Sequence, residues 1–413
     1  LDFYSYYTSP EKYWPAFRER YGLNEAEAPN DDLPLGFRKV GDGSVVSVTC
    51  LICHAGRAPD GRTIIGLANS RLDLQGLYDD LQALPAAFEA LKSKPLPEPY
   101  KSLVDAVPVP PAAPPLAGMS DRTGAPGSTD AMGLGLNFGA LAAGHDPEAE
   151  SLHVRFGFQS PTAWWTVQFK KERYWDGSVP FGGHRTMMAT LLGLGLDFTR
   201  LIELDATFND VEQFLLTIAP PAWPFEAPTK ESTAQGQTLF EAHCSQCHGV
   251  YDGPARSYPD RVVPLAEIGT DPLRVANFGE AEVKVANELI MDPTHPMTRT
   301  GGYLAQPLAG IWATAPYFHN GSVPDLQSVL DSKDRPARWR RLPDGDRGYD
   351  ENRMGWAFEA VDGPANPEAP PKTIESRRVV ETSHPGMSNT GHTFGDVLTG
   401  DERAAVLDYL KTL

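Results

Sequence analysis

Four cysteines occur in the 413-residue chain, and all four lie in two Cys-x-x-Cys-His motifs. The first is Cys50-Leu51-Ile52-Cys53-His54; the second is Cys244-Ser245-Gln246-Cys247-His248. This is the spacing of c-type haem attachment. Two thiols add to the porphyrin vinyl groups, and the histidine that follows comes under the iron. A zinc site would need a second ligand pair close by, and these motifs are far apart in sequence. A thioredoxin-like redox pair would not require the following histidine twice. The pattern predicts two covalently bound haem c groups, with His54 and His248 as proximal metal ligands. Cys50, Cys53, Cys244 and Cys247 are the attachment points.

Other residues bear chemistry with less specific signals. His392 follows a glycine ahead of the last helical pattern, where an imidazole can reach over a haem face; a hydrogen-bonded loop histidine is the bland alternative. Met291 and Met297 are its rivals, and a methionine ligand would raise the haem potential. Trp164 and Trp165 are adjacent, so in an extended segment they face opposite ways. One of them can lie between haems as a relay, or both can be core aromatics. Lys170, Lys171 and Arg173 form a basic cluster that would pair with haem propionates, unless it is a solvated face. His184, after Gly182-Gly183, can ligate or act as a distal base at the first haem, or simply start a helix. Phe169, Glu172 and Phe181 are further distal-pocket candidates. His319 precedes Asn-Gly, a turn signal, and reads as structural.

These residues need elements to hold them. Leu74, Leu77, Tyr78 and Leu81 follow the spacing of one apolar helix face, and Pro85 should kink or end that helix. Residues 106–127 carry six prolines and three glycines and read as a surface excursion. Helical patterning returns at Arg185–Leu196 and Asp210–Ile218. The run Ala219–Pro224 breaks it and reads as an interdomain linker. The expected division is residues 1–222 around the first haem, the expected active site, and 223–413 around the second, an electron relay. Ser232 and Gln235 make a plausible capping box, with Gly236 and Phe240 on one face just before Cys244. Thr399 and Glu402 make another, followed by the stripe Val406, Tyr409, Leu410, Leu413. Crossed terminal helices around a haem are the core of a class I cytochrome c, which the Gly236-x-x-x-Phe240-x-x-x-Cys244 stretch and the last helix resemble.

Several patches also resemble the dihaem cytochrome c peroxidase superfamily, and within it the rubber oxygenase-like branch. The strongest is Pro307–Pro324, containing Gly310-Ile311-Trp312-Ala313-Thr314 and then Ala315-Pro316-Tyr317-Phe318-His319-Asn320-Gly321-Ser322-Val323-Pro324. Others are Ala163-Trp164-Trp165 with Lys170-Lys171, Gly269-Thr270-Asp271-Pro272, and Pro385–His392. Together they run in patches from about residue 47 to 413. The resemblance implies an open or weakly ligated haem 1 that takes the oxidant and a six-coordinate haem 2 that stores or relays electrons. It implies His392, in Asn389-Thr390-Gly391-His392, as the second ligand of haem 2, and supports Trp165 as the relay.

Composition sets outer limits. Gly and Pro number 38 each, which favours loops over regular strand. The expected fold is mostly α, with two cytochrome c-like haem domains, long loops and little β. A net charge of −18 argues against nucleic-acid binding and suits a basic electron donor. No apolar run is long enough to span a membrane. Covalent haem is attached outside the bacterial cytoplasm, so the expected location is periplasmic or secreted, with an export signal absent from this sequence. The function expected is an oxidoreductase that activates a small oxidant, O2 or H2O2, with an apolar organic substrate or a redox partner protein. An apolar distal pocket would favour dioxygen chemistry; a distal Glu or His would favour peroxide heterolysis. A dihaem electron-transfer cytochrome, or an enzyme oxidising Trp or Tyr of a partner, is the alternative.

Overall fold

The computed structural model describes residues 10–27, 29–43, 45–98, 100–106, 126–130, 144, 157–187, 200–251, 257–343, 348–362 and 377–413. Helix is its main regular structure. The strands are short but numerous: six small antiparallel sheets, the largest of three strands, among the described residues. In that largest sheet Arg338–Arg341 is flanked by Phe358–Ala360 and Val379–Glu381. The architecture is therefore mixed to mostly helical, with more strand than the glycine and proline content suggests.

The second motif is carried by the helix Lys230–His243, which runs into the single turn Ser245–His248. Its N-cap is Thr229, whose hydroxyl accepts the Ser232 amide, so the helix starts earlier than a Ser232–Gln235 box would place it. Ser232 instead donates its hydroxyl to Asp408 at 2.6 Å, on the last helix. That helix, Gly400–Leu410, has the expected Thr399–Glu402 capping box. The two helices cross at Gly236, where a Cβ would sit 1.9 Å from the Ala405 carbonyl oxygen. Phe240 and Tyr409 pack beside the crossing with ring centres 5.2 Å apart. A bare backbone at position 236 is what permits this approach.

The main core spans both halves of the chain. Leu67, Ala163 and Trp165 share it with Phe240, Trp312, Val406 and Leu410. Trp165 and Trp312 have no exposed surface. The Ala219–Pro224 run forms no helix or strand, and it packs rather than floats. Pro221 accepts the Trp312 indole N–H at 3.0 Å, and Trp223 meets the Trp312 ring edge-on at 5.7 Å.

Elsewhere several expectations are corrected. The Leu74–Lys92 helix continues through Pro85, and its Leu81 is exposed rather than part of a buried face. The helix expected at Asp210–Ile218 is Arg200–Leu215, longer at its start. Trp164 and Trp165 open a 3-10 helix, Trp164–Phe169, so they do not alternate across an extended strand. The Thr166 amide closing on the Ala163 carbonyl and the Lys170 amide on that of Val167 are the three-residue bonds of this tighter winding. The proline-rich stretch after Ala106, and Arg185–Leu196 beyond Met187, lie outside the described residues.

Candidate haem sites

At the first motif, Cys50 precedes the single turn Leu51–His54, and the His54 amide closes it on Cys50 O at 3.0 Å. The following Gly-rich stretch folds back. Gly66 N bonds His54 O at 2.7 Å and Asn69 N bonds Cys53 O at 2.8 Å. Gly66 has φ +93°, and a Cβ there would lie 2.9 Å from the Trp164 Cβ. This lets Trp164 stack on His54, ring centres 4.9 Å apart and 24° between planes. Burial holds His54 neutral, pushed down to about 4, and its buried Nδ1 has no hydrogen bond. Burial also raises the Cys50 thiol and takes Cys53 up to about 12.

The second motif repeats the turn, with His248 N on Cys244 O at 3.0 Å. His248 Nδ1 lies 2.8 Å from the Gln306 backbone carbonyl. A carbonyl only accepts, so Nδ1 carries the proton and Nε2 keeps its lone pair for a metal. Burial lowers the His248 pKa, partly offset by that hydrogen bond. His392 faces this ring, with centres 6.2 Å apart. Burial first, then His248 and Arg335, pushes His392 down to about 3, and its Nδ1 is buried without a hydrogen bond. Both motif cysteines and both imidazoles line one cavity whose remaining wall is largely apolar, including Val263, Leu304, Phe318 and Leu410.

These residues fit a haem. A metal–imidazole bond of about 2 Å and about 1.1 Å from ring nitrogen to ring centre give two axial imidazoles roughly 6 Å apart. The observed 6.2 Å matches that span. Phe318 and Phe394 flank the His392 ring, at 5.9 and 5.3 Å between centres. His392 stands at φ +46°, with its amide on Ile268 O at 2.7 Å. Arg335 grips the loop: its guanidinium donates to the carbonyls of Ser328, Val329, Asn389, Gly391 and His392. All of that donor set is spent on backbone, which fixes a residue in an otherwise uncommon conformation.

The patches of the resemblance converge here. Asn320 donates to the Gly386 and Ser388 carbonyls at 3.1 and 3.0 Å. Asp271 accepts the Ser388 amide at 3.0 Å, and its carbonyl accepts the Tyr303 hydroxyl at 2.7 Å. His319 is buried and stacked on Tyr303, with Nε2 3.0 Å from that hydroxyl, and it borders the same cavity. The Trp165 indole N–H donates to Ala309 O at 2.8 Å, tying the first half to the Pro307–Pro324 segment.

Other sequence candidates go elsewhere. Met297 packs in a separate cluster with Val285 and Leu289, and Met291 ends the Glu280–Ile290 helix; neither lines the His248 cavity. His184 Nδ1 lies 3.3 Å from Glu212 Oε2, and its ring is 6.5 Å from His295. Arg173 pairs with the same Glu212 at 3.0 Å and lies over the largely exposed Phe181 ring. Lys171 is exposed, whereas Lys170 is buried, with Nζ 2.9 Å from Gln306 Oε1. Phe169 is half-buried at the end of its 3-10 helix, and Glu172 pairs with Pro180 in a two-residue ladder. The sequence argument passed over Gln306, which borders the strongest motif, and Arg335, whose contacts are distant in sequence. It also favoured Trp165, while Trp164 is the ring stacked on His54.

Residues 302–340 match the family described as RoxA-like, cytochrome c-like. Such a domain implies haem c and redox chemistry based on it. Two proteins of Sinorhizobium fredii (strain NBRC 101917 / NGR234) are similar over longer stretches. "Uncharacterized protein y4iM" is 29% identical over 326 residues, 68% of this chain and 70% of that protein. "Uncharacterized protein y4iJ" is 26% identical over 263 residues, 48% of this chain but 41% of the relative.

Proposed function

We propose that the protein is an exported dihaem c-type oxidoreductase that activates O2 or peroxide at the His54 haem and relays electrons through the His248 haem. The observation that carries this reading is the facing pair His248–His392, 6.2 Å apart between ring centres above a complete attachment motif. When bound, haem supplies one-electron redox chemistry and, where an axial position is open, a site for a small oxidant. His248 and His392 would hold one haem between them. Cys244 and Cys247 tether it, and the Gln306 carbonyl orients His248. In this reading residues 1–222 serve the first haem and 223–413 the second.

At the first site His54 is the proximal ligand and Cys50 and Cys53 the tether. Trp164 packs on the imidazole, and Trp165 carries charge toward the second half. His184 is the residue for moving a proton at this site, with its Nδ1 3.3 Å from Glu212 Oε2 but not hydrogen-bonded to it. Phe169 supplies apolar wall, suited to an apolar organic substrate, and the exposed Lys171 supplies positive charge for propionates, whereas Arg173 is already paired with Glu212. A redox partner protein is the other source or acceptor of electrons.

The test is spectroscopic. Denaturing mass spectrometry should give the chain plus two haems. The reduced protein should bind one CO per chain, and His392→Ala should convert the remaining low-spin haem to high-spin. A protein that binds no CO after full reduction would be a pure electron-transfer cytochrome. An unchanged His392→Ala spectrum would remove the bis-histidine assignment.

A further inference from the structure

Lys170 is a charged side chain in a place where charge is costly. It is the residue that closes the Trp164–Phe169 turn, and it is 4% exposed. Its Nζ donates to Gln306 Oε1 at 2.9 Å, across 136 residues of sequence. Gln306 is the residue whose backbone carbonyl holds the Nδ1 proton of His248. The Gln306 amide is held on its other side as well, with Nε2 donating to the Leu304 carbonyl at 3.2 Å. One residue therefore separates a buried ammonium from a haem-ligand imidazole.

The surroundings leave that charge largely uncompensated. Arg173, the like charge that acts on it, is itself taken by Glu212 at 3.0 Å and by the Lys170 carbonyl at 2.8 Å. Asp260 is the opposing anion, and it accepts the Lys171 amide at 2.8 Å rather than the Lys170 ammonium. Burial, and then Arg173, push Lys170 down to about 7, with Asp260 acting the other way. A solvated lysine serving only as a surface charge would have none of these features. A cation kept in a dry site acts over a longer range than one in water.

We propose that Lys170 is a positioning residue for the haem ligated by His248: it fixes Gln306, which orients the imidazole, and its cation favours the reduced iron. The inference rests on the functional reading above and deepens it. It means that the first half of the chain sets the potential of the second haem. Outer-shell partners of a ligating histidine are known levers on both ring orientation and potential.

The experiment uses the haem-loaded full chain and potentiometric titration of each haem's optical signal. Lys170→Gln keeps an amide donor for Gln306 and removes the charge. At about pH 6, where Lys170 is largely protonated, and at a fixed ambient potential, it should reduce the ferrous-to-ferric ratio of the low-spin haem on the order of tenfold, the effect of one unit charge at a separation on the order of 10 Å and an effective dielectric of about 20. The high-spin haem should not move. Gln306→Leu keeps the backbone carbonyl and the cation but breaks the link, so it should change the EPR g-values of the low-spin haem. If Lys170→Gln does not fold, Gln306→Glu sets a carboxylate against the ammonium and should lower the same ratio. A low-spin midpoint indifferent to both charge changes, in a protein with its normal haem complement, overturns this inference alone. A chain with no low-spin haem would overturn the functional reading and this inference with it.

Discussion

Burial holds the His319 imidazole neutral, down to about 3, with Arg274 adding to the effect, while Tyr303 keeps a hydroxyl 3.0 Å from its Nε2. An unfolded chain protonates this residue near its ordinary 6.5, the folded chain only near 3. Between those values the unfolded state holds more protons, so stability falls as the pH falls. The contribution is intact above pH 6.5 and is lost toward pH 3, at up to roughly 1.4 kcal/mol per pH unit for one proton. Urea midpoints at pH 7, 5 and 4 should decline for the parent protein. His319→Gln should flatten that decline by about one proton's worth; an identical acid slope in the variant would remove His319 from the account.

At the level of elements, the helix crossing gives a direct prediction. Gly236→Ala puts a methyl 1.9 Å from the Ala405 carbonyl oxygen, a contact that only a shift of the whole helix relieves. The expected cost is about 1–3 kcal/mol, read as a lowered urea midpoint with an unchanged slope. An unshifted midpoint would show that the helices slide apart freely. This crossing was legible in the sequence because it depends on near neighbours: Gly236 and Phe240 share a face, and Thr399 with Glu402 signals a start within four residues. Where local signals compete, they mislead. Thr229 caps the helix that Ser232 was expected to begin, because the Ser232 hydroxyl is drawn off to Asp408 on another helix. Pro85 looked like a stop, yet the helix continues through it. The pairing of two tryptophans read as a strand because nothing in the two letters announces a 3-10 turn.

For the whole molecule, the two Cys-x-x-Cys-His turns and the His392 that faces His248 were legible because each sits in a short motif. Lys170 with Gln306 was not, nor Arg335 with its loop: these bonds span 136 and up to 57 residues, and only tertiary packing selects them. The same holds for the core that joins Trp165 to Trp312 across the expected domain boundary. Net charge, by contrast, is a bulk property. With −18 on the chain, a cationic small reductant should reduce the haems faster than an anionic one of equal driving force. The difference should shrink as ionic strength rises past about 0.1 M, where screening acts within roughly 10 Å. Stopped-flow rates that are equal for both reductants at low salt would show that electrons enter through a locally basic patch instead. Among the described residues no helix is long and apolar enough to cross a membrane.

The crossing of the two terminal helices also has a consequence in time. Ser232 and Asp408, which join them, are 176 residues apart. At a synthesis rate of about 5–20 residues per second, the earlier helix waits roughly 9–35 s for its partner to be made. Throughout that interval the face bearing Gly236 and Phe240 has no cover, and bringing the ends together costs about 2.5 kcal/mol more than closing a ten-residue loop. The newborn chain thus passes those seconds with its second Cys-x-x-Cys-His motif already complete and its hydrophobic seam still open, a period in which a holding chaperone would decide between folding and aggregation.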